Sequence, residues 1–128
     1  DGIKAVLTVT ENLGFWASIH GGADVAAAMA AMNLTALADR RAAHLSAGQK
    51  RRAALAGLVA RRAELWLLDE PHAGLDAAGR DELDHVLKLA AAAGATVMVA
   101  SHELERASQL ATRQVEVVAG QVREMGTP

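Results

Sequence analysis

Leu65-Trp66-Leu67-Leu68-Asp69-Glu70-Pro71 is the stretch that decides the fold. Four apolar residues run without alternation and end in two carboxylates and a proline. Such a run reads as a short, fully buried strand of the kind found in parallel sheets. Pro71 has no N–H to give to a ladder, so the strand stops there. Downstream, Asp76 is placed to cap a helix from about Ala77 to Ala93, with an apolar stripe at Leu83, Val86, Leu87 and Ala90. Gly94 supplies the stop. Thr96 to Ala100, rich in valine, reads as a second buried strand, Glu103 to Arg113 as a helix, and Val115 to Ala119 as a third strand. Strand, helix, strand, helix, strand predicts an α/β fold with parallel strands.

Upstream of Leu65 the pattern is helical. Ser46 precedes Gln49 by three residues, a capping box, and the helix it opens carries Leu55, Leu58, Val59 and Arg62 at i, i+3, i+4 and i+7. Arg61 and Arg62 near its end suit the macrodipole. Thr8 and Glu11 form another capping box before the apolar run Leu13 to Ile19, which Gly21-Gly22 breaks. Asp24 to Met32 resumes as an alanine-rich helix, and Asn33 to His44 holds a short helix at best. Nothing before about residue 45 resembles a strand, and no internal repeat is visible.

The 128 residues allow one domain at most. Apolar residues make up 52% and charged residues 22%, as in an ordinary globular domain. Thirteen basic against 15 acidic side chains leave a net charge of -2, without the basic excess that nucleic-acid binding calls for. Aromatic stacking platforms are scarce, with only Phe15, Trp16 and Trp66. The absence of cysteine excludes disulfides, thiolate metal sites and a cysteine nucleophile. No apolar run reaches the ~18 residues of a membrane span, and no signal-peptide pattern is visible. The chain opens on Asp1 rather than Met, a first hint of a piece of something longer.

Three places could carry chemistry. Asp69 and Glu70 sit at the carboxyl end of a strand, where open α/β sheets bind ligands. Adjacent carboxylates there are costly to bury without a cation or a proton. A Mg²⁺ ion held by Asp69, with Glu70 orienting a water, gives both a purpose; a helix cap and a solvated side chain is the plainer alternative. Ser46-Ala47-Gly48-Gln49 opens a helix, where backbone N–H groups and the dipole favour an anion, although S-x-x-Q also serves simply as a cap. His102 follows the second strand, in line with the carboxylates if the strands are neighbours. A lone histidine is also commonly structural, and His20, His44, His72 and His85 show no ligand spacing. Arg106 stands where the zinc motif H-E-x-x-H needs its second histidine, so that motif fails. The pairs Arg40-Arg41, Arg51-Arg52 and Arg61-Arg62 read as solvated helix faces.

In order and spacing these segments resemble the ABC-type ATPases. Leu45-Ser46-Ala47-Gly48-Gln49 looks like their signature motif and Leu65 to Glu70 like their Walker B segment. Ala73-Gly74-Leu75-Asp76 resembles the D-loop, Ser101-His102 the switch histidine, and Val117 to Pro128 the C-terminal hairpin. Leu7 to Leu13 resembles the start of the helical subdomain. Asn12 to Ala17, Ala47 and Trp66 are similar to the haem-exporting ATPases of cytochrome c maturation. The resemblance implies a partial P-loop NTPase fold of ABC type, with a helical subdomain over 1–45 and the signature helix, core strands and hairpin over 46–128.

The same resemblance implies a function. The parent would hydrolyse ATP with Mg²⁺ to drive transport through a transmembrane permease, from the cytoplasmic face of the inner membrane. Asp69 would hold Mg²⁺, Glu70 would be the general base and His102 would contact the γ-phosphate. Ser46, Ala47, Gly48 and Gln49 would bind the nucleotide of a second ATPase subunit in a head-to-tail dimer, and Asp76 would link the two sites. No nucleic acid is expected as partner. Two departures stand out. Gly57 sits mid-helix where the family places arginine, at a helix cost of ~1 kcal/mol. No G-x-x-x-x-G-K-[ST] loop occurs, so the chain resembles the C-terminal two-thirds of such a subunit and is expected to be inactive by itself. The rival readings are a DNA-repair or chromosome-organising ATPase head and a truncated, non-catalytic interaction module.

Overall fold

The computed structural model describes residues 3–19 and 24–126. Helices α1 (Val9–Ile19), α2 (Val25–Ala31) and α3 (Ala47–Ala60) come first. Then follow β1 (Leu65–Asp69), α4 (Ala77–Ala92), β2 (Thr96–Ala100), α5 (Leu104–Leu110), β3 (Gln114–Val118) and β4 (Gln121–Met125). His20, the expected break at Gly21-Gly22 and the hairpin residues Thr127 and Pro128 lie outside the described residues.

Both capping boxes form. Thr8 N–H donates to Glu11 Oε1 and Glu11 N–H to Thr8 Oγ1, each at 3.1 Å. That backbone hydrogen bond from Thr8 holds the Glu11 carboxyl below its ordinary pKa. The helix opens at Val9, earlier than its apolar run, because Val9 and Thr10 N–H donate to the carbonyls of Arg40 and Ala38, both at 3.0 Å. Among the described residues before β1, an isolated antiparallel bridge between Thr8 and Arg41 is the one strand-like pairing. Asp24 caps α2, and two 3-10 turns, Thr35–Leu37 and Ala42–His44, carry the chain into α3.

The buried side of α3 differs from the leucine stripe expected of it. Ala53, Leu55, Ala56, Gly57 and Ala60 are buried, while Leu58 and Val59 are only partly covered. Small residues win because α1 and α2 lie close against this helix: a Cβ on Gly57 would stand 3.9 Å from Leu13 Cδ2. The core joins α1, α2 and α3 to Trp66 of β1 and to Leu83, Val86 and Leu87 of α4.

β1 and β2 pair in parallel, with Trp66 opposite Val97 and Leu68 opposite Val99. The strands are not buried on both faces as expected. Trp66 is 3% exposed, but Leu65, Leu67 and Met98 are 52%, 66% and 61% exposed. The helices named in the core cover one face, and among the described residues nothing covers the other. By the alternation of a strand, Asp69 lies on the same open face as Leu65 and Leu67.

The third strand is a further correction. β3 does not join the parallel sheet; it pairs antiparallel with β4, with Val117 opposite Val122. Ala119 and Gly120, at φ 49° and 76°, make a two-residue turn with both central φ positive, a favoured connection between antiparallel strands. The hairpin named by the resemblance is therefore present. α5 ends at Leu110, short of Arg113, because Ala111 is already extended on the way into β3.

Candidate functional site

At the carboxyl end of β1 the chain turns sharply. Glu70 has φ 46°, a left-handed conformation that costs a non-glycine residue roughly 1–2 kcal/mol. Its N–H still donates to Ala100 O at 2.8 Å, which ties it to the end of β2. Its side chain turns the same way: Glu70 Oε1 accepts the backbone N–H of His102 at 2.9 Å. His102 Nε2 lies 3.6 Å from that oxygen, and the imidazole is otherwise open to solvent. The parallel pairing of β1 with β2 thus brings Glu70 and His102 together. Asp69 stands beside them with its carboxylate exposed and without an ion pair among the described residues.

A strained residue persists only where its surroundings fix it. Here Arg51 of α3 does so. Its Nη1 donates to the carbonyl oxygens of Pro71, Ala73 (2.8 Å) and Glu70 (3.4 Å). The sequence placed Arg51 on a solvated face. Composition and spacing cannot show that a side chain will reach backbone carbonyls twenty residues away.

Ser46 to Gln49 form the first turn of α3. Ser46 Oγ accepts Gln49 N–H at 3.2 Å and Gln49 Oε1 accepts Ser46 N–H at 2.9 Å. The local chemistry is a cap, and the same residues also line a cleft of about 770 Å³ between α3 and α4. Gly48, Gly74 and Asp76 line it too, and a Cβ on Gly48 would stand 3.8 Å from Leu75 Cδ2. Asp76 Oδ1 accepts Gly79 N–H at 2.8 Å and starts α4 as expected. Across the cleft, Arg52 reaches Glu82 at 3.6 Å.

The sequence also passed over His72. Its side chain is 2% exposed, and Nε2 is hydrogen-bonded to Asp84 Oδ1 of α4 at 2.5 Å. Asp84 Oδ2 accepts from Arg106 of α5, whose guanidinium also reaches Asp81 at 3.4 Å. The hydrogen bond that Arg106 donates to Asp84 raises the Arg106 pKa above its ordinary value. No periodicity announces this group, because its members come from a loop and two helices.

Among the described residues no cluster of three or more His, Asp or Glu side chains could enclose a metal. Mg²⁺ is commonly held by one or two carboxylates plus phosphate oxygens and water, and the exposed Asp69 carboxylate is a donor of that kind.

A family model described as ABC transporter matches residues 1–73, more than half of the chain and the segment holding Ser46–Gln49, Asp69 and Glu70. The chain belongs to the ABC transporter family. It is 51% identical over 102 residues to the cytochrome c biogenesis ATP-binding export protein CcmA of Cereibacter sphaeroides, covering 80% of this chain and 49% of that protein. The protein of the same name from Rhodobacter capsulatus is 49% identical, with 80% and 48% covered. The chain spans about half the length of these curated relatives. An inward-facing ABC transporter of proposed metal-chelate type superposes with a TM-score of 0.81 at 25% identity, over 95% of this chain and 54% of that one. The fold is therefore α/β of the ABC-type NTPase kind. The family and these relatives are transporter proteins, and the DNA-repair reading is not favoured. No helix among the described residues is long and apolar enough to cross a membrane.

Proposed function

We propose that these residues belong to the nucleotide-binding subunit of an ABC transporter that couples ATP hydrolysis to export, with haem for cytochrome c biogenesis as cargo. The observation that carries this is the Glu70 carboxylate fixed at a strand end by the His102 backbone N–H at 2.9 Å, beside the exposed Asp69. One carboxylate oxygen is held, which leaves the other to take a proton from a water. The cargo is suggested by relatives named as cytochrome c biogenesis ATP-binding export proteins.

In this reading Glu70 is the general base. The water attacks the γ-phosphorus, the bond to the β-γ bridging oxygen of ADP breaks, and the proton passes to Glu70. Mg²⁺, when bound, neutralises charge developing on the phosphate oxygens. Asp69 would hold it. His102, with its imidazole free in solvent, is placed to donate to the γ-phosphate. Ser46, Ala47, Gly48 and Gln49 would face a nucleotide held by a second ATPase subunit, head to tail: Ala47 and Gly48 offer helix-start N–H groups, while those of Ser46 and Gln49 are taken up by the cap. Asp76, on the same cleft, would connect the two sites across that dimer. A transmembrane permease completes the assembly, with this subunit peripheral on the cytoplasmic face of the inner membrane. The 128 residues contain no G-x-x-x-x-G-K-[ST] loop, so by themselves they would not turn over ATP.

The test is Glu70→Gln in the full-length protein. ATP binding should be retained while turnover falls by roughly 10²–10⁴, the range of a general base. Cells with this variant as their only copy should lose holocytochrome c. Hydrolysis above about a tenth of the parental rate would remove Glu70 from that role. Intact cytochrome c maturation with hydrolysis abolished would overturn the cargo.

A further inference from the structure

Two side chains one turn apart on α4 each hold both of the segments that flank the Glu70–His102 pair. Arg80 Nε donates to Leu75 O at 3.0 Å, and its Nη1 pairs with Glu103. Asp84 accepts from His72 through Oδ1 at 2.5 Å and from Arg106 through Oδ2. His72 and Leu75 belong to the loop that leaves Glu70 and leads to Asp76. Glu103 follows His102 directly, and Arg106 lies four residues beyond it in the first turn of α5. Residues four apart lie on one helix face, so the two bridges stack as rungs of a single ladder.

The burial is uneven in an informative way. His72 is 2% exposed and its Nδ1 has no partner among the described residues, while Asp84 is 15% and Arg106 28% exposed. An aspartate serving only to neutralise Arg106 would need no buried imidazole on its other oxygen. An orphaned ring nitrogen is a cost that a purely packing residue would not carry. Glu103 N–H also donates to Ser101 Oγ at 3.0 Å, so the segment gripped by Arg80 is already stiffened beside His102.

We propose that Arg80 and Asp84 are positioning residues: they form a relay that locks the loop over residues 70–76 to the segment over residues 101–106, so that Glu70 and His102 move as one unit with Asp76. The consequence for catalysis rests on the ATPase role of Glu70. The relay itself does not, since it is a property of these contacts without nucleotide.

Amide exchange by NMR on this chain reads the relay directly. The probes are the N–H groups of Ala73 and Leu75, bonded to Glu70 O and His72 O, and of His102 and Glu103. Arg106→Gln touches nothing in the 70–76 loop, yet exchange at Ala73 and Leu75 should rise about threefold or more, the effect of one net hydrogen bond. His72→Gln should do the same to His102 and Glu103. Thr96 N–H, bonded to Glu64 O, reports global stability and should not change. Effects confined to each variant's own segment, or a rise at Thr96 equal to that at the probes, would overturn the relay. In the full-length protein Arg106→Gln should lower kcat for ATP at least threefold with KM unchanged. A parent that hydrolyses ATP and an Arg106→Gln variant with parental kcat would refute the positioning role. A parent without ATP hydrolysis, with the exchange coupling present, would instead refute the ATPase reading and leave the relay standing.

Discussion

Glu70 does two things that conflict with ordinary backbone preference. It ends a parallel strand, and it turns left-handed so that its carboxylate meets the His102 N–H. Arg51 resolves the conflict by gathering the carbonyl oxygens of Glu70, Pro71 and Ala73 under one guanidinium. Arg51→Met keeps the side chain's length and apolar stem but removes all three bonds. It should destabilise the chain by about 1–3 kcal/mol, the range for hydrogen bonds to a charged donor. The urea midpoint checks this, with Lys50→Met, at an exposed neighbouring position, expected to stay within about 0.5 kcal/mol. Equal midpoints for the two variants would remove Arg51 as the fixing contact. The sequence singled out Asp69, Glu70 and His102 as candidates; the left-handed turn that orients Glu70 it did not show, since glutamate carries no signal for positive φ.

Among the elements, α3 shows how a tertiary contact rewrites a helical pattern. Leu58 and Val59 of its apolar stripe are only partly buried, and apart from Leu55 its buried face is alanine and glycine. Gly57 looks like a defect in isolation, because glycine inside a helix costs ~1 kcal/mol against alanine. The contact with α1 leaves room for a methyl: a Cβ at this position lies 3.9 Å from Leu13 Cδ2, an ordinary van der Waals distance. Gly57→Ala should therefore raise stability by about 0.5–1 kcal/mol, from helix propensity with no steric penalty. A lowered denaturation midpoint would mean that α1 and α3 approach more closely than this. The hairpin is the opposite case, since its residues alternate like any half-exposed strand. The turn at Ala119-Gly120, with both φ positive, folds β3 back on β4, and β3 does not join β1 and β2.

For the whole molecule, the open face of the β1–β2 sheet dominates. Leu65, Leu67 and Met98 form an apolar row more than half exposed. Exposed apolar strands beside unpaired edges invite association with other copies. Leu67→Lys places a charge in the middle of the row without touching the core, so stability should change by no more than about 0.5 kcal/mol. Sedimentation of this chain at rising concentration should show less self-association for the variant than for the parent. Equal association would mean that another surface, such as the exposed valines of the hairpin, makes the contact.

The amino-acid sequence by itself determined most of the elements and their starts: both capping boxes, the Asp76 cap, the two parallel strands β1 and β2, and the order of the signature-like, Walker B-like and switch segments. These are local or short-period signals, set by which side chain can satisfy which nearby N–H and by where apolar residues recur. Only the tertiary structure decided the rest. It set the burial of each strand face, because burial depends on what lies opposite and not on the strand's own composition. It turned Arg51 from a solvated cation into the clamp on the Glu70 turn, and drew His72, Asp84 and Arg106 from a loop and two helices into one polar group. Long side chains find partners by distance in space, and distance in space is not periodic in sequence.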